Sequence, residues 1–276
     1  YRVLPGVPLL VAANRDEYYA RPARQAAFWE DHPSVLAGRD LQAGGTWLGV
    51  SASGRFAAVT NFRGTPGAAP GGPSRGELVT AFLSGRRSAR SFTQSLEKTG
   101  NRYAGFCMLA SDGEALYFYS NQEHKAAVVA PGVHGLSNHL LDTPWPKVVK
   151  GRAGLQGLLA QPFSDADYLD LMDDTVPAAE KSLPESNLDP AWERSLSSLR
   201  IIAGSYGTRC STVVRIDEGG LVDFAERTYR DDGDVAGEVR YRFTATRRPN
   251  LLTSHAARAP SRRAESPPRR TRHPAR

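Results

Sequence analysis

The stretch "LLVAANRDEYYARP", residues 9–22, joins a short apolar run to four consecutive polar residues. An apolar run of this length between polar or turn-forming residues is typical of a buried strand, and we predict one over residues 8–14. The polar residues Asn14 to Glu17 follow where this strand would leave its sheet. They indicate a site, because a rigid sheet presents the side chains at its strand ends into a crevice.

Further strands are predicted on both sides of a helical middle section. Apolar runs separated by turn-forming residues predict a hairpin over 46–62 and antiparallel strands over 104–111, 115–120, 125–130, 207–217, 220–229 and 238–245. Runs of strands around a group of helices favour an α+β fold over an alternating parallel one.

Four helices are predicted between these groups of strands. The first begins at Ser74, where Ser74 and Glu77 make a capping-box pattern, and it ends at Gly85. The others are predicted over 88–98, 146–160 and 164–173, the last with a cap at Ser164 and Asp167. The Gly- and Pro-rich segment 63–74 is predicted to be a loop.

The charge of the chain is concentrated at its carboxyl end. Residues 247–276 hold nine arginines and one acidic residue, a charge of +8, so the other 246 residues carry −2 of the total of +6. We therefore predict one domain over 1–246, without a nucleic-acid footprint, and a basic disordered tail over 247–276. The tail is interpreted as solvated, or as an out-of-frame end of the coding sequence; binding to an acidic surface or to nucleic acid is the alternative.

The low number of cysteines and the lack of targeting patterns indicate the cellular compartment of the protein. Cys107 and Cys210 lie in apolar, strand-like segments, where a small core residue is more common than a nucleophile. So few cysteines suit a reducing cytoplasm, where we place the protein. No membrane-length apolar run, signal peptide, metal-ligand spacing or CxxCH haem motif occurs, so we expect no metal and no resident cofactor.

Polar residues occur at four predicted strand ends: 14–17, 60–61, 137–138 and 208–209. Amide groups stabilise oxyanions, arginine holds carboxylates or polarises carbonyls, and aspartate orients a base. Each residue also has a structural interpretation: Arg15 pairs with a neighbouring acid, Asn61 and Asn138 form turns or caps, and Trp47 in "GGTW" belongs to the core. From the residues alone, both interpretations stay open.

Five motifs in sequence order identify a family resemblance. They are "AANRDEYYARP", "LAGRDLQAGGTWLGVSASGRFAAVTNFR", "SRGELV", "GLSNHLLDTPWPK" and "YGTRCSTV". Together they closely resemble the NRDE family, also called transport and Golgi organisation proteins. The resemblance covers about residues 8 to 229.

The resemblance implies a four-layer αββα sandwich of two antiparallel sheets, similar to N-terminal nucleophile hydrolases. In that superfamily an N-terminal cysteine attacks, with its own α-amino group as the base. Family members open with Met-Cys and a short strand, whereas this chain begins at Tyr1. We therefore expect an N-terminally truncated chain whose nucleophile is absent.

Site roles also follow from the resemblance. Arg15 and Asp16 match a catalytic pair, Asn61 and Asn138 match oxyanion groups, and Arg209 matches a later catalytic arginine. Asn14, Glu17 and Trp47 are assigned to substrate binding. The predicted function is hydrolysis of an amide or thioester bond in a small molecule. The alternative is a non-catalytic protein that binds and carries haem or lipid and acyl-CoA.

Overall fold

The computed structural model describes residues 1–65, 72–160 and 164–246. Within them the chain forms twelve strands and five helices. The strands are β1 (Leu9–Tyr18), β2 (Ala23–Phe28), β3 (Val35–Asp40), β4 (Leu48–Ser51), β5 (Phe56–Asn61), β6 (Phe106–Ser111), β7 (Leu116–Ser120), β8 (Lys125–Val128), β9 (Ile202–Ala203), β10 (Tyr206–Ile216), β11 (Leu221–Tyr229) and β12 (Val235–Thr244). The helices are α1 (Arg75–Ser84), α2 (Ala89–Thr99), α3 (Pro146–Leu159), α4 (Asp165–Met172) and α5 (Pro190–Ser195).

The strands form two open antiparallel sheets. In the large sheet, β2 to β8 lie side by side in sequence order. In the small sheet the order is β1-β10-β11-β12, and β9 pairs with β10. The small sheet brings the first predicted strand beside strands from the far end of the chain, so β1 meets β10 through contacts nearly 200 residues apart.

The two sheets pack face to face, and helices cover their outer faces. The core between the sheets takes Leu36 and Phe56 from the large sheet and Val214 and Phe224 from the small one. Both α1 and α2 pack on the other face of the large sheet, and α3 and α4 cover the small sheet. The fold is therefore α+β with the predicted αββα layering.

Strand β1 is covered on both faces, by the core between the sheets and by the helix layer. Leu9, Val11 and Ala13 pack in the core between the sheets, whereas Leu10 and Ala12 pack against the helix layer. Because successive side chains of a strand point to opposite faces, both faces of β1 are apolar and covered.

Helix α1 sits unusually close to the strand before it. Its amino end approaches the "GGTW" turn so closely that a Cβ on Gly45 would lie 2.6 Å from the Gly76 backbone. A Cβ on Gly76 would lie 2.9 Å from the Thr46 carbonyl. Glycine at these two positions lets the helix dock on the turn.

The predicted elements agree with the structure in type and order, with some differences. All predicted strands and helices are present, but β2, β3, β9 and α5 were missed. The Ser74 hydroxyl caps α1 as expected, accepting from Gly76 N–H. Glu77 does not complete the capping box, because it accepts a hydrogen bond from the Tyr103 hydroxyl instead.

Part of the prediction lies outside the described residues. The tail over 247–276 and residues 66–71 of the predicted loop belong to this part. Among the described residues, no helix is long and apolar enough to cross a bilayer.

Candidate functional site

A cleft of about 190 Å³ lies along the free edge of β1. It is bounded by β1, the end of β5, the loop 134–137 and the helices α3 and α4. Of the residues predicted for the site, Asn14 and Asp16 line this cleft. In this cleft Asn14 and Asp16 therefore lie together with side chains from both sheets and from the helix layer.

Asp16 is the predicted residue best placed for chemistry. Its Oδ1 accepts a hydrogen bond of 2.7 Å from the Thr208 hydroxyl. Its Oδ2 lies 3.8 Å from the Nζ of Lys147. One oxygen is thus fixed by the neighbouring strand, while the other faces a cation.

Lys147 lies in the motif "GLSNHLLDTPWPK", but the sequence analysis did not single it out. Pro146 opens α3 and Lys147 follows it, so the side chain projects from the first turn into the cleft. Only 10% of that side chain is exposed. Burial lowers the pKa of Lys147, and the nearby Asp16 carboxylate only partly opposes this. The available signal was a lysine at the end of a motif rich in polar residues, on the first turn of a predicted helix.

Thr60 supplies a second polar group to the cleft. Its Oγ1 is buried and has no hydrogen-bond partner within the described part of the chain. Buried hydroxyls are normally satisfied, so an unsatisfied one that lines a cleft is available to a ligand. Lys147 and Thr60 together present an ammonium and a hydroxyl to the same space.

Asn61 and Asn138 contact each other through one hydrogen bond. The Asn138 amide donates to the Asn61 carbonyl at 3.3 Å. The Asn138 carbonyl accepts from Arg63 N–H at 2.7 Å, and Asn138 has a left-handed backbone with φ of 39°. In the described structure these contacts join the loop after residue 134 to the end of β5, and neither asparagine lines the cleft.

Arg15 points away from the cleft, into the space between the sheets. Its guanidinium lies 4.2 Å from the centre of the half-buried Trp47 ring. The residue is 8% exposed, and burial lowers its pKa. Its Nη1 has no hydrogen-bond partner among the described residues. Arg15 and Trp47 therefore form a buried cation–π pair on the opposite face of β1 from Asp16.

Asn14 is fully engaged in holding β1 in place. Its amide donates to the carbonyls of Met172 and Leu199, at 2.9 and 2.8 Å. Its Oδ1 accepts from the Ser211 hydroxyl at 2.6 Å. These bonds attach β1 to the end of α4 and to β10, so Asn14 forms part of the cleft wall.

Arg209 and Glu17 lie at the turn that joins β1 to β2. Strand β10 has one extra residue, Arg209, opposite the step from Arg15 to Asp16. This bulge directs the Arg209 guanidinium to the carbonyls of Tyr18 and Arg21, each at 2.9 Å. Glu17 lies 3.7 Å from Arg21. The structure does not bring Arg209 or Glu17 together with the Asp16–Lys147 pair.

One histidine, His134, lines the cleft. Its Nδ1 contacts the Asp142 carboxylate at 2.7 Å, and its Nε2 contacts the Ala130 carbonyl at 2.8 Å. Both ring nitrogens are therefore engaged with oxygen atoms of the chain in this structure. No group of three potential metal ligands occurs among the described residues.

Both cysteines are free and buried. Burial raises the pKa of Cys107 to about 11, and it raises the pKa of Cys210 well above its usual value. Neither thiol lines the cleft within the described structure, so neither is placed to attack a ligand bound there.

The sequence of this chain is similar to those of known proteins over most of its length. A family model described as Transport and Golgi organisation 2 matches residues 2–231. The chain is 34% identical over 257 residues to the Transport and Golgi organization 2 homolog of Mus musculus, covering 86% of this chain and 92% of that protein. It is 37% identical over 246 residues to the Bos taurus homolog, covering 80% and 86%. Identity to the Homo sapiens homolog is 34% over 263 residues, covering 86% and 92%.

Proposed function

The chain belongs to the Transport and Golgi organisation 2 family, and we propose that its cleft binds a small acyl compound and hydrolyses an amide or thioester bond. The observation that carries the proposal is the convergence of Asp16, Lys147 and Thr60 on one cleft whose other walls are largely apolar. We place the reaction in the cytoplasm, since two free thiols suit a reducing compartment.

Lys147 and Thr60 are the groups suited to the substrate carbonyl. An ammonium and a hydroxyl both donate hydrogen bonds to an oxygen that gains negative charge in the transition state. Lys147 is nearly buried, so its charge acts in a medium of low polarity, where such interactions are stronger than in water. This assigns to Lys147 and Thr60 the oxyanion role that the family resemblance gave to Asn61 and Asn138.

Asp16 is suited to orient the attacking nucleophile. The hydroxyl of Thr208 fixes one of its oxygens, and the other faces the cleft 3.8 Å from the Nζ of Lys147, where it can accept a hydrogen bond from a bound nucleophile. Arg15 and Trp47 support β1 from the core and act as positioning residues, and Arg209 and Glu17 act in the same way at the adjoining turn.

The test is a hydrolysis assay on protein purified from its own cells, so that its natural amino terminus is present. The substrates are N-acyl amino acids and acyl thioesters of N-acetylcysteamine, and mass spectrometry measures the released amine or thiol. Lys147→Met and Thr60→Val are each expected to lower the rate by about 10²-fold or more, the scale of a lost oxyanion donor. Asp16→Asn is expected to lower it by about 10²-fold or more, the scale of a lost acid–base group.

Lys150→Met is the matched control for Lys147→Met. Lys150 lies on the same helix, but its side chain is 40% exposed and pairs with Asp174 at 2.6 Å. Its replacement should leave the rate unchanged. The proposal fails if the purified protein hydrolyses no member of the panel, or if Lys147→Met is as active as the unaltered protein.

The second candidate is binding of a lipid or acyl-CoA without catalysis. The apolar wall of Leu136, Leu155, Leu171 and Leu199 favours it, because such a wall binds an aliphatic chain whether or not a bond is broken. Calorimetric binding of a thioester with no released thiol supports this candidate over hydrolysis. Haem is the other ligand that the family resemblance suggests, and the contacts of His134 with Asp142 and Ala130 do not favour it over an acyl compound.

A further inference from the structure

Helix α3 carries three glycines, and only one of them lines the cleft. They are Gly151, Gly154 and Gly157. Glycine in a helix costs about 1 kcal/mol relative to alanine, so a glycine here calls for a packing or functional reason. Gly154 has a packing reason, since a Cβ there would lie 2.4 Å from Leu171 Cδ1. Gly157 is exposed, with nothing within 4 Å of such a Cβ.

Gly151 differs from both neighbours. It lines the cleft, and a Cβ on it would meet a single side chain, Leu199, at 3.3 Å. The backbone packing of α3 does not require glycine at this position. What the missing side chain leaves is space within the cleft itself.

The face of α3 that lines the cleft changes in character along the helix. Lys147, Gly151 and Leu155 are spaced by four residues and all line the cleft, as residues on one helix face do. From Lys147 to Leu155 the helix rises about 12 Å. A polar group, a position without a side chain and an apolar side chain thus follow one another along this line of residues, beside Val148 and Arg152, which also line the cleft.

The neighbouring wall of the cleft is also built from small side chains. Ala12 and Ala13 of β1 line the same space, and Leu171 and Leu199 add apolar surface. Small residues on both the strand and the helix leave open space between two stretches of backbone. An unbranched chain fits between two backbones more readily than a branched one, because a branch would meet backbone on either side.

We infer that Gly151 sets the width of a channel that takes the unbranched aliphatic chain of an acyl ligand. The carbonyl or carboxyl end lies at Lys147 and the chain runs past Gly151 to Leu155. The position of the carbonyl end rests on the proposed function, whereas the channel rests on the residues of α3 and β1. The selected ligand class is a straight-chain aliphatic acyl group.

The experiment measures binding of octanoate and its branched isomer valproate to the full chain by isothermal titration calorimetry. The unaltered protein should bind octanoate more tightly than valproate. Gly151→Val should weaken octanoate binding at least tenfold, and Gly151→Ala should weaken it less. Gly157→Val is the matched control: it places the same side chain on the same helix, where there is open space, and should bind octanoate as the unaltered protein does.

Circular dichroism of each variant establishes that the helix is retained. Equal octanoate affinity in Gly151→Val and Gly157→Val would overturn the inference, and so would a preference of the unaltered protein for valproate or binding of neither acid. Failure of the proposed function is distinguishable, because octanoate binding that depends on Gly151 without any hydrolysis supports the channel and rejects the reaction. If Gly151→Val hydrolyses straight-chain substrates at the rate of the unaltered protein, the reaction is supported and the channel is rejected.

Discussion

Burial changes the acid–base behaviour of the Lys147 side chain. Its ammonium is nearly enclosed, with one carboxylate, Asp16, at 3.8 Å. Burial lowers the pKa of Lys147 because the charged form loses hydration, and the attraction of Asp16 and Glu193, which Arg63 partly offsets, does not restore it. The result is a cation that holds its proton less firmly than a lysine in water does.

The lowered pKa of Lys147 predicts a pH dependence of stability. Between the folded pKa and the ordinary lysine value of about 10.4, the unfolded chain binds more protons at this position than the folded chain. The free energy of unfolding should therefore rise with pH across that window through the contribution of Lys147. Urea unfolding at several alkaline pH values should show the unaltered protein and Lys150→Met gaining stability relative to Lys147→Met as the pH rises. The opposite contributions of the two cysteines, whose pKa values are raised, are common to all three proteins and cancel in this comparison. Parallel curves for the two variants would contradict it.

The two cysteines should react slowly in the folded protein. The pKa of Cys107 is raised to about 11 by burial, so almost none of it is thiolate at pH 8. A disulfide reagent that reports free thiols at pH 8 should label neither cysteine quickly, and both at once in denaturant. Rapid labelling of Cys107→Ser in the folded state would show that Cys210 is accessible, against its burial here.

At the level of single residues, the sequence indicated two of the residues that line the cleft, Asn14 and Asp16. Asp16 was predicted because four polar residues follow an apolar run. The opposite orientations of Arg15 and Asp16 follow from strand alternation, and the direction of Arg209 follows from a bulge in β10. Thr60 fell in the polar strand end 60–61, but its lack of a hydrogen-bond partner within the described structure could not be read from the sequence. Lys147 gave no comparable signal, because its burial depends on elements distant in sequence.

At the level of elements, close backbone approach decides how α1 joins the large sheet. Gly45 and Gly76 face each other where the helix begins, and the Thr46 N–H donates to the Gly76 carbonyl at 3.3 Å. Trp47 packs in a similar way on Gly38 of β3, where a Cβ would lie 2.4 Å from its ring. The glycines of these motifs thus have packing roles in the layers.

Gly76→Ala should destabilise the protein by about 1–3 kcal/mol, the usual cost of overpacking. The added methyl would lie 2.9 Å from the Thr46 carbonyl, which is backbone and moves little. Gly157→Ala adds the same methyl to a helix in open space and should instead stabilise by up to about 1 kcal/mol. Urea midpoints of the two variants on the same side of the unaltered protein would contradict this account.

The elements that sequence missed are those with weak local patterns. Strand β2 includes Arg24 and Gln25, and β3 includes Gly38 and Arg39, so neither gives a continuous apolar run. Helix α5 has six residues inside a polar segment, capped by Asp189. These elements are fixed by pairing and packing with the rest of the fold.

At the scale of the whole molecule, an ion pair joins the two halves of the sandwich beside the cleft. Arg63, just after β5 of the large sheet, contacts Glu193 of α5 at 2.5 Å. Glu193 is 4% exposed and also accepts from the Ser186 hydroxyl at 2.7 Å. The Arg63 guanidinium lies over the Trp145 ring at 4.4 Å. This pair fixes the segment between α4 and β9 against the large sheet.

Removing one partner of the Arg63–Glu193 pair should destabilise the protein strongly, because the other partner stays partly buried without an opposite charge. Glu193→Ala leaves Arg63 partly buried without its partner, and we expect a loss of about 2–3 kcal/mol. A double-mutant cycle with Arg63→Ala, measured by urea unfolding, should give a coupling of at least about 1 kcal/mol. Additive losses would mean that the pair does not couple the layers.

The order of the layers was predictable from sequence, because strand-rich ends around a helical middle favour α+β and the motifs indicated the αββα arrangement. The pairing of β1 with β10 was not, since it joins residues nearly 200 positions apart. That pairing positions β1, whose free edge lines the cleft, so the candidate site depends on the least local strand pairing of the described fold.

The central claim is that the cleft at Lys147 receives an acyl ligand. The most direct measurement is nuclear magnetic resonance of the protein labelled with ¹³C at lysine Cε, in which Lys147→Met assigns one signal among those of Lys98, Lys125, Lys150 and Lys181. We predict that the Lys147 signal titrates at lower pH than the others and shifts when octanoate is added. A Lys147 signal that titrates with the exposed lysines and does not respond to octanoate would contradict the account.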